Sequence, residues 1–300
     1  LHLDTIGRLR AVCDDARRSG GSVGLVPTMG FLHEGHRSLI RAARAATDLV
    51  VVTIFVNPLQ FGPTEDLERY PRDLAADTAA CEADGVDAVF APSVDEMYPR
   101  PSLTTVSVAG LTDVMCGLAR PTHFDGVTTV VTKLFSIVGP CRAFFGRKDA
   151  QQLAVVTRMA QDLDLPVDVV GCPLVRESDG LAMSSRNAYL SGDERRAALV
   201  LSKGLRAAAG AVVAGERRAA AVRSIVVETV ASERLVDLEY ADVRDAADLA
   251  TLDEITTGKV LVAVAARVGN TRLIDNVTFL IDGRGVQVDA GVIATPKEPA

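Results

Sequence analysis

A chain of 300 residues with 48% hydrophobic and 24% charged residues has the material for a substantial core, which excludes a disordered chain. Its net charge of -7 argues against general nucleic-acid binding, and any anion that it handles must meet locally concentrated cations. No apolar run is long enough to cross a membrane, and the five cysteines, Cys13, Cys81, Cys116, Cys141 and Cys172, form no CxxC pair, as expected of reduced, mostly buried thiols in a cytoplasmic protein.

Periodicity predicts an amphipathic helix near Thr5 to Arg18, then apolar segments suited to strands at 22–29, 49–56, 87–91, 143–146 and 167–171. Helical segments fall between them, around 36–46, 73–84, 126–138 and 150–163. The uninterrupted run Leu49-Val-Val-Val-Thr-Ile-Phe-Val56 suits a strand covered on both faces, so the alternation reads as an α/β, Rossmann-like parallel-sheet domain over 1–174. Composition changes after Pro173. Residues 191–232 are Ala- and Arg-rich with helical periodicity, and 235–245, 259–268 and 272–281 read as strands of a small antiparallel sheet with Gly269-Asn270 at a turn. This predicts a smaller α+β C-terminal domain over 175–285 and a tail over 286–300, ending in a frayed Pro296 to Ala300.

The strongest local signal is Val26-Pro-Thr-Met-Gly-Phe-Leu-His33-Glu-Gly-His36, a strand that turns at Gly30 into a helix with two histidines on its first turns. The N–H groups of a helix start are unpaired within the helix and its dipole favours anions, so imidazoles there are placed to hold phosphate. Two surface histidines are the alternative. A zinc pair is disfavoured, because His-Glu-Gly-His is one residue short of His-Glu-x-x-His, and no metal site is expected. Ligands of parallel sheets bind beyond the C-terminal strand ends. Met29-Gly30, Asn57-Pro-Leu-Gln60 and Gly146-Arg-Lys148-Asp149 all fall there, so three polar motifs are expected at one edge. Lys148 can reach phosphate oxygens and Asp149 ribose hydroxyls, although either can equally serve an ordinary helix start. Met183-Ser184-Ser185-Arg186 is a polar loop able to wrap a triphosphate, or a simple cap for the next helix. Gln60 and Gln152 carry amides suited to a small polar substrate.

Together these segments resemble the pantothenate synthetase (pantoate:beta-alanine ligase) family. The residues that carry the resemblance are Pro27 to His36, Ile54 to Gly62, Glu65-Asp-Leu-Glu-Arg-Tyr-Pro-Arg72, Glu96-Met-Tyr-Pro99, Arg120-Pro-Thr-His-Phe-Asp-Gly126, Phe144 to Asp149 and Arg176 to Asn187, in the family's order over roughly residues 3–283. Within the HIGH-motif nucleotidyltransferase superfamily, His33-Glu-Gly-His36 stands for that signature and Met183-Ser-Ser-Arg186 resembles the partner KMSKS loop.

The resemblance implies that ATP and (R)-pantoate form a pantoyl adenylate and that beta-alanine then attacks it, in a cytoplasmic homodimer whose partners are these small molecules, not nucleic acid or membrane. It implies that His33, His36, Lys148 and Arg186 act in catalysis, with Ser184 and Ser185 also on phosphate oxygens. Gly146 and Asp149 would face the ribose, and Val175 and Met183 would flank adenine. Met29, Gln60 and Gln152 would line the pantoate pocket, Met29 also contacting ATP, with Asn57 supporting the pocket wall. ATP enters as a substrate with Mg2+ on its phosphates, and the stretch from 63 to 76 would cover the site. Three positions depart from the family pattern: Arg147 where Glu is usual, Ala150 where Tyr is usual, and Cys116 where an acid is usual. They keep open a nucleotidyltransferase for another small carboxylate, or a nucleotide-binding paralogue without ligase activity.

Overall fold

The computed structural model describes residues 1–63 and 65–294. The chain forms two compact units. One comprises Leu1–Asp113, Arg120–Gly146 and Val155–Cys172; the other comprises Val114–Ala119, Arg147–Ala154 and the chain from Pro173 onward.

The first unit is built on a six-stranded parallel sheet of β1 (His2–Leu3), β2 (Val23–Thr28), β3 (Leu49–Ile54), β4 (Ala88–Phe90), β5 (Cys141–Gly146) and β6 (Val167–Cys172). Their order is β1-β4-β3-β2-β5-β6. The valine runs explain the burial. Val26, Val50 and Val52 pack with Leu39, Ile40 and Ala43 of the helix Glu34–Ala46, while the intervening Leu25 and Val51 are equally buried on the opposite face. The helices Ile6–Arg18, Leu74–Ala83 and His123–Val138 lie close to the expected positions, the last beginning three residues early behind a left-handed Thr122 with φ 71°. The edge strand β1 was not expected, since two residues are too few to show a period.

Reversal of the strand order at β2 opens the sheet. The carbonyls of Ser22 and Thr28 accept from the N–H groups of Leu49 and Phe55 on the β3 side. Alternation therefore turns the backbone groups of Val23, Leu25 and Pro27 toward β5, and Pro27 has no N–H to donate. Pairing between β2 and β5 accordingly covers Gly24↔Arg142 and Leu25↔Ala143 alone. By contrast, β2 pairs with β3 from Val23↔Leu49 through Thr28↔Ile54. The C-terminal halves of β2 and β5 thus part at the switch point, where open α/β sheets hold their ligands.

The second unit carries β7 (Val175–Arg176), β8 (Val236–Asp245), β9 (Gly258–Val268), β10 (Thr271–Asp282), β11 (Gly285–Asp289) and β12 (Val292–Ile293). Strands β8 to β11 form an antiparallel sheet in the order β11-β10-β9-β8. Alternate residues Val260, Val262 and Val264 of β9 and Leu273, Val277, Phe279 and Ile281 of β10 pack against Leu201, Leu205, Val222 and Val226 of the helices Gly192–Val213 and Ala219–Ala231. These two helices occupy the stretch 191–232 expected to be helical, and Gly215 at φ +106° lies at the break between them. Gly269, at φ +56°, turns β9 into β10 as expected.

The expected tail over 286–300 needs correction in its described part. β11 pairs with β10, and β12 pairs with β7 through Val292↔Val175 and Ile293↔Arg176. The alternation Val286-Gln-Val288-Asp289 is a readable strand signal for β11, whereas the two residues of β12 are too few to show a period. Pro296 to Ala300 lie outside the described residues. All five cysteines are free and buried, and among the described residues no helix is long and apolar enough to cross a membrane.

Candidate active site

The turn after β2 is shaped by a residue that sequence reading missed. Gly30 adopts φ +84°, and an added Cβ would stand 2.8 Å from Asp77 Oδ2, so only glycine fits. Phe31 follows in the left-handed region at φ 51°. The buried Asp77 carboxylate accepts from Phe31 N at 2.8 Å and Leu32 N at 2.6 Å, which ties helix Leu74–Ala83 to the turn. Burial raises the Asp77 pKa despite these donors.

The two histidines cap the helix Glu34–Ala46. His33 Nδ1 accepts from Gly35 N at 3.1 Å, and His36 Nδ1 accepts from His33 N at 3.3 Å. Their ring centroids lie 4.1 Å apart. An imidazole that accepts on Nδ1 carries its proton on Nε2, so the pattern assigns both rings to that tautomer.

At the end of β3 the turn Pro58–Gln60 is held by Asn57, which is 1% exposed. Asn57 Nδ2 donates to Gly126 O at 3.0 Å and to Gln60 Oε1 at 3.2 Å. Its Oδ1 accepts from Tyr98 Oη at 2.9 Å and Leu59 N at 3.4 Å. Gln60 Nε2 in turn donates to Met29 Sδ at 3.0 Å, joining the ends of β2 and β3. A Cβ on Gly126 would lie 2.6 Å from Gln60 Cα, so glycine is what lets the helix His123–Val138 approach this turn. The Gln60 carbonyl accepts from His123 Nδ1 at 2.8 Å and Arg120 Nη2 at 3.2 Å. Arg120 also grips Glu65 through Nε at 2.7 Å and Nη2 at 2.5 Å. Burial raises the Glu65 pKa, but the hydrogen bonds and charge of Arg120 outweigh it and hold the carboxyl below its ordinary value.

In the second unit, the short 3-10 turn Arg147–Asp149 precedes the helix Ala150–Asp162. Asn276 Nδ2 donates to the carbonyls of Arg147 and Lys148, at 2.9 Å each. Lys148 Nζ is 4.0 Å from Asp149 Oδ2. The loop bearing Met183 to Arg186 is bound to β7 by Met183 N donating to Val175 O at 3.0 Å, which brings Val175 and Met183 together. Ser184 Oγ accepts from Arg186 N at 3.3 Å, and Asn187 Nδ2 donates to Glu177 Oε1 at 2.8 Å and Ala182 O at 3.1 Å. Beneath this loop Arg176 and Asp275 form a buried two-point pair at 2.7 and 2.9 Å. Arg176 also donates to the carbonyls of Gly180, Asn276 and Ala290, so its donors are engaged.

A model of the family Pantoate-beta-alanine ligase matches residues 2–278. The pantothenate synthetase of Acetivibrio thermocellus is 53% identical over 275 residues, covering 92% of this chain and 98% of that protein. The pantothenate synthetase of Thermus thermophilus superposes with a TM-score of 0.86 at 45% identity, covering 92% of this chain and 98% of that one. The chain belongs to the pantoate-beta-alanine ligase family. It is a ligase. A further structure, the pantoate-beta-alanine ligase of Francisella tularensis, was solved with beta-gamma ATP and beta-alanine. It matches with a TM-score of 0.76 at 29% identity, covering 92% of this chain and 96% of that one.

Against this family frame, the structure brings Met29 and Gln60 into contact and sets His33, His36 and Gly146 at the same C-terminal edge of the sheet. Lys148, Asp149 and Gln152 follow β5 in the chain and group with the second unit, as do Val175, Met183, Ser184, Ser185 and Arg186. Two of the departures from the pantoate-beta-alanine ligase pattern have structural accommodations. Arg147 Nη1 pairs with Asp289 Oδ2 at 2.7 Å. Cys116 is fixed through its backbone, whose N–H donates to Gln151 Oε1 at 2.9 Å whatever side chain stands there. Nothing in the structure explains Ala150. Among the described residues no group of three or more His, Cys, Asp or Glu could hold a metal ion.

Proposed function

We propose that this ligase joins (R)-pantoate to beta-alanine in two half-reactions through a pantoyl adenylate. A pantoate carboxylate oxygen attacks the α-phosphorus of ATP in line, and the bond to the departing pyrophosphate breaks. The neutral amine of beta-alanine then attacks the acyl carbon. The new C–N bond forms, the adduct loses the ammonium proton, and AMP leaves with the electrons of the C–O bond. Neither step needs a protein nucleophile, so catalysis rests on positioning and charge neutralisation.

In this reading His33 and His36 donate through Nε2–H to the triphosphate and the five-coordinate phosphorus, and Lys148, Ser184, Ser185 and Arg186 hold phosphate oxygens. Gly146 and Asp149 face the ribose, and Val175 and Met183 flank adenine. Met29, Gln60 and Gln152 bind pantoate. The observation that carries this is the histidine pair, whose Nδ1 atoms are occupied by backbone N–H groups at the very helix start where anions are favoured. Mg2+ enters on the ATP oxygens as part of the substrate. The domain of residues 1–174 binds nucleotide and pantoate, and residues 175–285 act as a lid, with the stretch 63–76 covering the intermediate from water. The HIGH-type signature, a homodimer formed through the first domain and a cytoplasmic location belong to the same reading.

The test is AMP release measured with ATP, pantoate and beta-alanine present, and with each omitted in turn. AMP and pantothenate should accumulate only with all three. Steady AMP release without pantoate, or a stable adenylylated product in the complete mixture, would overturn the reading.

A further inference from the structure

Two backbone groups decide which way the buried Asn57 amide points. Leu59 N can only donate, so the Asn57 atom beside it is the oxygen; Gly126 O can only accept, so the atom beside it is the nitrogen. The second hydrogen of Asn57 Nδ2 then goes to Gln60 Oε1. That in turn fixes the Gln60 amide with its oxygen toward Asn57 and its NH2 toward Met29. The carbonyl of Gln60 is held independently by His123 and Arg120, so main chain and side chain are pinned at separate points.

Tyr98 completes the chain. Its hydroxyl donates to Asn57 Oδ1 at 2.9 Å, a shorter bond than the one from Leu59 N to the same oxygen. The Tyr98 ring is braced by Phe55 at a centroid distance of 6.1 Å and by Lys133 Nζ at 5.3 Å. We propose that Tyr98 is a positioning residue for the acid substrate: its hydroxyl reinforces the Asn57 orientation that Leu59 N and Gly126 O select, and through Asn57 it holds the Gln60 amide so that Gln60 meets pantoate as a hydrogen-bond donor and not as an acceptor. Burial pushes the Tyr98 hydroxyl up to about 12, so it keeps the proton that it donates. A carboxylate and two hydroxyls offer acceptor lone pairs, and a reversed amide would turn a carbonyl oxygen against the carboxylate.

The inference rests on the proposed placing of pantoate at Gln60, and the experiment separates the two. Michaelis constants for pantoate, ATP and beta-alanine are measured for Gln60→Ala, Tyr98→Phe and Asn57→Asp, together with thermal midpoints. Asn57→Asp is nearly isosteric, but its carboxylate cannot donate to Gln60 Oε1 and draws the Gln60 NH2 toward itself. Gln60→Ala should raise the pantoate KM; if it does not, the placing of pantoate is wrong. Tyr98→Phe should raise that KM by about three- to tenfold, and Asn57→Asp by more, with kcat and the KM for ATP within about twofold. An unchanged pantoate KM in Tyr98→Phe, alongside a raised one in Gln60→Ala, would overturn the positioning role alone. So would a loss spread equally over all three substrates, which marks a general structural defect.

Discussion

Removal of the Asp77 carboxylate should loosen the turn that presents Met29 and the two histidines. Asp77→Ala leaves the N–H groups of Phe31 and Leu32 without their acceptor, and both bonds are short, at 2.8 and 2.6 Å. A net hydrogen bond to a charged group contributes about 1.5 to 3 kcal/mol, which sets about 3 to 6 kcal/mol for the pair. Burial offsets part of this, since it raises the Asp77 pKa even with both donors in place. The net loss is therefore smaller than that sum, yet even the about 1.5 kcal/mol of a single such bond is a large share of the roughly 5 to 15 kcal/mol that holds an ordinary fold. Asp77→Asn should sit between the two, because one amide oxygen keeps one N–H while the NH2 faces the other. Chemical denaturation followed by circular dichroism gives the stability, and pantoate-dependent AMP release at a temperature where both variants are folded gives the functional cost. A parental midpoint together with a parental pantoate KM in Asp77→Ala would refute the idea that this carboxylate shapes the turn.

His36→Ala and Lys148→Ala should each lower adenylate formation by about 100-fold or more while the far-ultraviolet spectrum is kept, since each is assigned to charge that develops on phosphate. Single-turnover formation of the adenylate checks this, and near-parental rates in either variant would remove that residue from the proposed machinery. Arg176→Met strands the buried Asp275 carboxylate and should cost about 3 to 5 kcal/mol, of which a double variant with Asp275→Leu should recover the part due to the stranded charge but not the part due to the carbonyls of Gly180, Asn276 and Ala290; equal denaturation midpoints for single and double variants would refute the pairing. Glu65→Gln removes the grip on Arg120. Glu65 is held below its ordinary 4.5 in the fold, so the stability it adds is present above that value and lost as pH falls through the depressed one. Wild type should therefore exceed Glu65→Gln at neutral pH by about 1 kcal/mol, and the two should converge in acid. A gap independent of pH would contradict the ion pair.

Local patterns made much of this molecule legible. The valine runs announced strands covered on both faces, Gly30 announced the turn, and the histidines two and five residues beyond Phe31 announced an anion-favouring helix start. Interactions between distant segments did not show. Asp77 lies 46 residues from Phe31 in the chain and sits in an Ala-rich helix that gives it no distinguishing context. Asp275 did carry a readable signal: in the alternation Leu273, Asp275, Val277, Phe279 it occupies a core-facing position, which demands a buried cation. That cation is Arg176, 99 residues away, and no spacing rule identifies it. Tyr98 was visible within a quoted motif, yet its purpose depends on Asn57, 41 residues earlier. The grouping of 114–119 and 147–154 with the C-terminal part also arises from tertiary contacts and not from composition: Asn276 Nδ2 donates to the carbonyls of Arg147 and Lys148, and Gln151 Nε2 donates to Val114 O at 2.8 Å.

The most direct measurement is exchange of labelled pyrophosphate into ATP with pantoate present and beta-alanine left out. A pantoyl adenylate formed reversibly before the amine arrives requires label to enter ATP under these conditions, and to stop when pantoate is withheld. Exchange that needs beta-alanine, or that runs equally well without pantoate, would contradict the two-step chemistry.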